Sequence, residues 1–129
     1  MLTVSNAIEN TEIILPDTQI IGMDLKNYVP FHDDKSVTNK KYPMQLVIDT
    51  DNGIIVGVKA VYDKSVSFIE AESSINKFYG DWHISRNEKP LTSLWRVPPK
   101  ELAIQLSLDD NGYVQVIIMP FKKLKGESP

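Results

Sequence analysis

The chain has 129 residues, 42% of them hydrophobic, and its 14 basic and 17 acidic side chains give a formal net charge of −3. This size and composition predict one globular domain over residues 1–129, and the near balance of charge argues against nucleic acid as the main partner. Because the sequence contains no cysteine, it excludes disulfides, thiolate metal sites and a cysteine nucleophile. No apolar stretch approaches the roughly 20 residues of a membrane helix, so we expect a soluble domain without membrane insertion.

Both ends of the chain are polar, and the first third of the chain shows little regular pattern. Residues 1–10 and 122–129 are polar and expected to be loose, and residues 1–10 lack the basic start and apolar centre of a secretory signal. Residues 11–15 and 18–23 are typical of short strands. Residues 26–43 show neither helical nor strand period and predict a long loop, the first place to expect a site.

A short amphipathic helix is predicted over residues 67–79. Ser67 and Glu70 have the spacing of a capping box, which satisfies free N–H groups at a helix start. Gly80 follows the stretch and suits the left-handed conformation that often ends a helix. Five apolar residues form one stripe, which must be buried on other elements because so short a helix is marginal alone. They are Phe68, Ala71, Ile75, Phe78 and Tyr79.

Two hairpins flank this helix, and both turn on the sequence Asp-Asn-Gly. The first spans residues 44–62 with its turn at 51–53, and the second spans 102–119 with its turn at 110–112. In both we prefer a three-residue loop with a left-handed glycine, because that register gives each hairpin one apolar face. The first hairpin then opposes Met44, Leu46 and Ile48 to Ala60, Val58 and Val56. The second opposes Ile104, Leu106 and Leu108 to Ile118, Val116 and Val114.

Two further strands are expected between the helix and the second hairpin. They cover residues 82–85 and 91–97, with a turn at 86–90 between them. Trp82 and Trp95 are expected at the ends of the core, each with its indole N–H bound to an acceptor. Together the elements predict an α+β domain with a twisted, mostly antiparallel sheet of about six strands and one helix packed on one face.

The face of the second hairpin that points away from the helix is the strongest candidate for a functional surface. In the preferred register it retains Tyr113, Ile117 and Met119 beside Phe121, and such an apolar cluster on a sheet face is typical of a contact with another chain or a second copy. The alternative is that residues 11–23 or the long loop cover it. We therefore predict a small non-enzymatic binding domain that acts through a sheet face or edge, with a protein partner or as a homodimer.

The rival hypothesis is a small metal-dependent hydrolase or ligand-binding protein. His32, Asp33 and Asp34 lie in the predicted loop, where an imidazole beside carboxylates suits a divalent metal or an oriented general base. With the second histidine, the alternative metal site is His32, Asp34 and His83. Against it, adjacent loop residues do not naturally point at one centre, and no nucleophile elbow or phosphate-binding loop occurs. The leading interpretation includes no catalytic residue and no cofactor.

The location of the protein stays open between the cytoplasm and, after removal of a signal peptide, the periplasm or the exterior. The segment Phe78-Tyr79-Gly80-Asp81-Trp82, in which a helix end passes through a glycine into a strand, is similar to segments of small bacterial exported α+β modules that assist or inhibit other proteins. The resemblance covers these residues alone. It implies the bacterial envelope as the rival location to the cytoplasm.

Overall fold

The computed structural model describes residues 12–25 and 41–121, which form a six-stranded antiparallel sheet with one α-helix packed on it. The strands are β1 (Gln45–Asp51), β2 (Ile54–Val61), β3 (His83–Glu88), β4 (Leu91–Val97), β5 (Leu102–Leu108) and β6 (Val114–Pro120). They are arranged in the order β1-β2-β6-β5-β4-β3. The helix, α1 (Phe68–Tyr79), contacts β4 and β5. The predicted α+β fold is confirmed, and in the described part of the chain no helix is long and apolar enough to cross a bilayer.

The start of α1 follows from its local sequence. The Ser67 side chain accepts a hydrogen bond from the backbone N–H of Glu70 at 3.1 Å, as the capping-box spacing predicts. Three residues of the predicted apolar stripe are buried: Phe68, Ala71 and Ile75. They attach the first two turns of the helix to the sheet.

The last turn of α1 departs from the prediction. Phe78 is 59% exposed beside the groove between this turn and residues 12–18, whereas Tyr79 is partly buried against the main core cluster. Gly80 has a φ of −59°, so the predicted left-handed end is wrong. The chain continues instead into a 3₁₀ turn over Gly80–Trp82 that leads directly into β3.

The turn of the first hairpin corrects the predicted register. Asn52 has a φ of +54° and Gly53 a φ of +82°, and positive angles at both central residues define the two-residue type I′ turn. The three-residue loop is therefore wrong. A bulge between Asp49 and Thr50 then shifts the register by one residue, which restores an apolar face by another route. The resulting pairs are Leu46 with Ala60 and Ile48 with Val58.

The second hairpin turns differently on the same three residue types. The Asp109 carboxylate accepts hydrogen bonds from the backbone N–H groups of Asn111 at 2.9 Å and Tyr113 at 2.8 Å, and Gly112 has a φ of +84°. The loop thus has the left-handed glycine that was expected. The predicted pairs are confirmed: Ile104 with Ile118, Leu106 with Val116 and Leu108 with Val114.

Side-chain contacts to the helix extend β3 beyond its predicted end. Arg86 forms an ion pair with Glu72 of α1 at 3.0 Å, and its guanidinium carbon lies 5.6 Å from the centroid of the Phe68 ring. These contacts hold the middle of β3 against the helix. The strand therefore continues to Glu88, and the turn is confined to residues 89–90.

The N-terminal segment (residues 12–25) packs on the helix side of the sheet. Ile13 joins the main core cluster, and its backbone N–H donates to the Ser74 hydroxyl of α1 at 3.3 Å. Thr18–Ile20 forms a 3₁₀ turn, so the strand predicted over residues 18–23 is wrong. Residues 22–25 bond to the backbone of residues 53–55 at the start of β2. In these contacts residues 12–25 lie on the helix side and beside β2, whereas the long loop, the other predicted cover for the opposite face, lies mostly outside the described residues.

Several predictions fall on parts of the chain outside the described residues. They are the loose ends at 1–10 and 122–129 and most of the loop at 26–43. The assignment of residues 1–129 to one domain likewise stays a prediction.

The buried phenol of Tyr62 makes the stability of the fold depend on pH in the alkaline range. Its ring is fully buried, its hydroxyl donates to the Ile14 carbonyl, and burial raises the pKa of the phenol above its ordinary value of 10.0. Because the pKa is higher in the folded chain than in the unfolded chain, the stabilisation is complete below pH 10 and is lost as the pH rises from there toward the folded-state pKa.

We expect Tyr62→Phe to lower the free energy of unfolding by about 1 kcal/mol at neutral pH, through loss of the hydrogen bond. Above the ordinary phenol pKa the variant should lose stability less steeply than the wild type. Urea unfolding of both proteins across a pH series measures the two slopes. Equal slopes above pH 10 would show that ionisation of Tyr62 does not contribute.

Candidate functional site

The outer face of the sheet, the side opposite α1, is built by alternation along each strand. In β6, Val116 and Ile118 are fully buried on the helix side, so Ile117 between them points to the outer face. Following the cross-strand pairs through Ile117 gives one row of outer-face residues that crosses all six strands. The row is Val47, Lys59, Ile117, Gln105, Leu94 and Ser85.

A second row extends the apolar part of this face toward the end of β6. Met119, which is 37% exposed, pairs with Ala103, and Ala103 pairs with Arg96 on β4. The Arg96 guanidinium carbon lies 4.4 Å from the centroid of the Phe121 ring, a cation–π distance. The backbone N–H of Phe121 also donates to the Glu101 carbonyl at 3.0 Å, which fixes the start of the segment after β6.

The structure places the four predicted contact residues in two groups. Ile117 and Met119 are alternate residues of β6 and share the outer face, and Phe121 continues the same spacing and stacks on Arg96. Tyr113 lies in the hairpin loop at the other end of the strand, about 13 Å from Ile117 at the usual rise per strand residue. Its ring faces the ammonium of Lys64 at 5.1 Å.

Among the outer-face residues that the sequence did not predict, three bear on binding: Lys59, Leu94 and Arg96. Two of them could have been found from the alternation within β4, where Ser93, Trp95 and Val97 are buried on the helix side. Lys59 carries no such signal, because its position beside Ile117 depends on the pairing of β2 with β6, which are far apart in sequence.

The charged side chains of the outer face lie in different parts of it. The strand residues that point to this face include two cations, Lys59 and Arg96, and two carboxylates, Asp49 and Asp51, on the edge strand β1. The ion pairs that the structure shows among residues 12–25 and 41–121 do not include Lys59. Lys59 adjoins Ile117 on the central pair of β2 and β6, whereas both carboxylates lie at the β1 edge of the sheet.

The two edges of the sheet differ in regularity. The edge strands are β1 and β3. In β3 the register shift between His83 and Ser85 leaves Ile84 as an extra residue, and such a bulge interrupts the row of backbone groups that an added strand needs. In the first hairpin the extra residue, Val56, lies on β2 and not on the edge strand β1. The geometry therefore favours the face over the β3 edge.

The alternative metal site is only partly within the described residues, because His32, Asp33 and Asp34 lie outside them. His83 lies in β3, where its Nε2 is 2.7 Å from the Ser93 hydroxyl and its ring centroid is 5.1 Å from that of Trp95. Ser93 is fully buried, so this pair joins two strands and does not present a nucleophile to solvent.

Among the described residues no group of three or more His, Asp or Glu side chains is arranged to hold a metal ion. The site of His32, Asp34 and His83 stays a prediction. No observation in residues 12–25 and 41–121 adds support to the hydrolase hypothesis.

The comparisons with known proteins give no family assignment. No protein-family model, no curated protein and no solved structure matches the chain. The side chains of the outer face are therefore the main indication of function.

Proposed function

We propose that the protein is a small non-enzymatic binding domain that docks the outer face of its sheet onto an acidic, partly apolar protein surface. The observation that carries this proposal is the apolar pair Ile117 and Met119 on β6 beside Lys59, with Leu94 two strands away in the same row. Apolar side chains in neighbouring rows provide an area that a partner can bury, whereas the adjacent lysine provides selectivity for a carboxylate.

The composition of the outer face matches what drives protein association. Burial of apolar area contributes roughly 25 cal/mol per Å², and aromatic and arginine side chains are the commonest sources of large binding contributions. The stacked pair of Phe121 and Arg96, 4.4 Å from ring centroid to guanidinium carbon, is such a group at the end of the apolar rows. Stacking restricts both side chains before binding, which lowers the entropy lost on association.

The charge next to the apolar residues favours a partner that offers carboxylates. Lys59 adjoins Ile117, whereas Asp49 and Asp51 lie at the β1 edge. A protein surface with an apolar centre and nearby carboxylates can pair with Lys59. The proposal therefore specifies an acidic heterologous partner, and the test below separates it from a second copy.

Charge reversal at Lys59 tests the proposal. The immobilised wild type, Lys59→Glu and Lys89→Glu are compared for proteins retained from an extract of the source cells, and a retained protein is then purified and titrated. We expect the wild type and Lys89→Glu, altered at the exposed turn after β3, to bind equally. Lys59→Glu should bind roughly tenfold or more weakly, and wild-type affinity should fall as salt increases.

Two results would contradict the proposal. Equal binding by Lys59→Glu and Lys89→Glu would show that Lys59 does not contact the partner. A stable dimer of the wild-type chain in native mass spectrometry that is lost in Ile117→Asp would assign the outer face to a second copy.

A further inference from the structure

A groove on the helix side of the sheet has the size of a small-molecule site. It lies between residues 12–18, the last turns of α1 and Lys100, and it encloses about 290 Å³. Ligand sites in proteins begin at roughly this volume. The outer face lies on the other side of the sheet, so the groove is separate from the proposed docking surface.

Three donor groups meet at one end of the groove. The Thr18 and Tyr79 hydroxyl oxygens are 3.3 Å apart, and the Lys100 ammonium is 3.5 Å from the Thr18 hydroxyl and 5.6 Å from the centroid of the Tyr79 ring. Thr18 is only 7% exposed, so its hydroxyl is surrounded mainly by protein atoms. Lys100 takes part in none of the ion pairs that the structure shows among residues 12–25 and 41–121.

The remaining walls of the groove are mainly apolar, with two acids. Leu15, Pro16 and Phe78 provide the apolar surface. The Glu12 carboxylate is paired with Lys77 of α1 at 3.4 Å, which balances its charge. Asp17 also lines the groove and has an interaction partner of its own within the chain.

We propose that the groove binds a small carboxylic acid that carries a short apolar or aromatic tail. The carboxylate accepts hydrogen bonds from the Lys100 ammonium and from the Tyr79 hydroxyl, and the tail packs on Phe78 and Leu15. A monoanion matches the single lysine, whereas the nearby carboxylate of Asp17 disfavours a dianion such as phosphate. The exposed ring of Phe78 gives the tail an aromatic surface at the mouth of the groove.

An NMR titration of the ¹⁵N-labelled full chain tests this proposal. Phenylacetate is the probe, phenylacetamide is its neutral analogue, and inorganic phosphate is the anion without a tail. We expect phenylacetate to shift the backbone amide signals of Thr18, Tyr79 and Lys100 in a saturable way, and the other two compounds to bind roughly tenfold more weakly or not at all.

Matched variants separate a specific site from surface attraction. Lys100→Gln and Tyr79→Phe should each weaken phenylacetate binding, Lys100→Gln by roughly tenfold. Lys64→Gln is the control, because this ammonium also lies over a tyrosine ring, that of Tyr113 at 5.1 Å, but outside the groove. It should leave binding unchanged, and the spectrum of each variant reports whether it is folded.

Two results would overturn the proposal. One is the absence of saturable shifts with phenylacetate; the other is equal binding by Lys100→Gln and the wild type, which would show that the ammonium is not a ligand. Ile117→Asp should bind phenylacetate as the wild type does. The titration therefore tests the groove independently of the proposed docking surface.

Discussion

Replacing Trp95 by alanine is expected to lower the free energy of unfolding by about 3–5 kcal/mol. The ring is fully buried in β4, and its indole N–H donates to the Asn76 side-chain oxygen of α1 at 2.8 Å. It also contacts the His83 ring, at 5.1 Å between centroids. The substitution therefore opens a cavity and removes a side-chain bond between helix and sheet. Urea unfolding followed by circular dichroism measures the loss.

Two further variants separate the contribution of packing to the stability loss in Trp95→Ala from that of the hydrogen bond. Trp95→Phe retains most of the buried ring and should cost less than Trp95→Ala. Asn76→Ala leaves the buried indole N–H without its acceptor and should cost about 1–3 kcal/mol. A loss below about 1 kcal/mol for Trp95→Ala would contradict the placement of this ring in the core.

Two neighbouring residues of β6 are expected to respond very differently to the same change. Ile118→Asp places a carboxylate in the fully buried layer under α1 and should cost more than about 4 kcal/mol, enough to unfold a domain of ordinary stability. Ile117→Asp places it on the outer face beside Lys59 and should cost about 1 kcal/mol or less. Urea unfolding or, for an unfolded variant, the circular dichroism spectrum gives the comparison.

The comparison of Ile117→Asp with Ile118→Asp tests whether the outer face is available to a partner. If Ile117→Asp unfolds the protein as Ile118→Asp does, then Ile117 belongs to a covered core and the proposed docking surface does not exist. Ile69→Asp is the reference for a harmless change, because Ile69 is 63% exposed on α1. Its free energy of unfolding should stay within about 0.5 kcal/mol of the wild type.

Local sequence predicted the elements whose structure is determined by near neighbours. The helix start depends on the contact of Ser67 with the backbone of Glu70, and the second hairpin depends on a left-handed Gly112 together with alternating apolar residues. Both are interactions over a few residues. The predicted register of that hairpin correctly assigned Ile117 and Met119 to the face away from the helix.

The two Asp-Asn-Gly turns show where local sequence is insufficient. In the second hairpin the Asp109 carboxylate, outside the repeated motif, binds two backbone N–H groups of the loop. In the first hairpin Asn52 and Gly53 form a two-residue turn, and a bulge at Val56 of β2 returns the apolar side chains to one face. Identical turn residues thus give different loops because the flanking contacts differ.

The rest of the candidate sites depends on contacts between distant parts of the chain. Lys59 lies beside Ile117 only because β2 pairs with β6, an order that no local pattern encodes. The groove joins Thr18, Tyr79 and Lys100 from three separate elements. The 3₁₀ turn that holds Thr18 replaces a predicted strand, so the sequence pattern placed this residue in the wrong environment.

Site-specific photocrosslinking shows whether a partner binds the outer face. A benzoylphenylalanine is introduced at Phe121, on the outer face, or at Phe78, on the helix side, and each protein is irradiated in its source cells. We expect a protein adduct from position 121 that disappears when Ile117→Asp is added, and no such adduct from position 78. An adduct from position 78 alone, equal adducts from both positions, or none from position 121 would contradict the outer face as the docking surface.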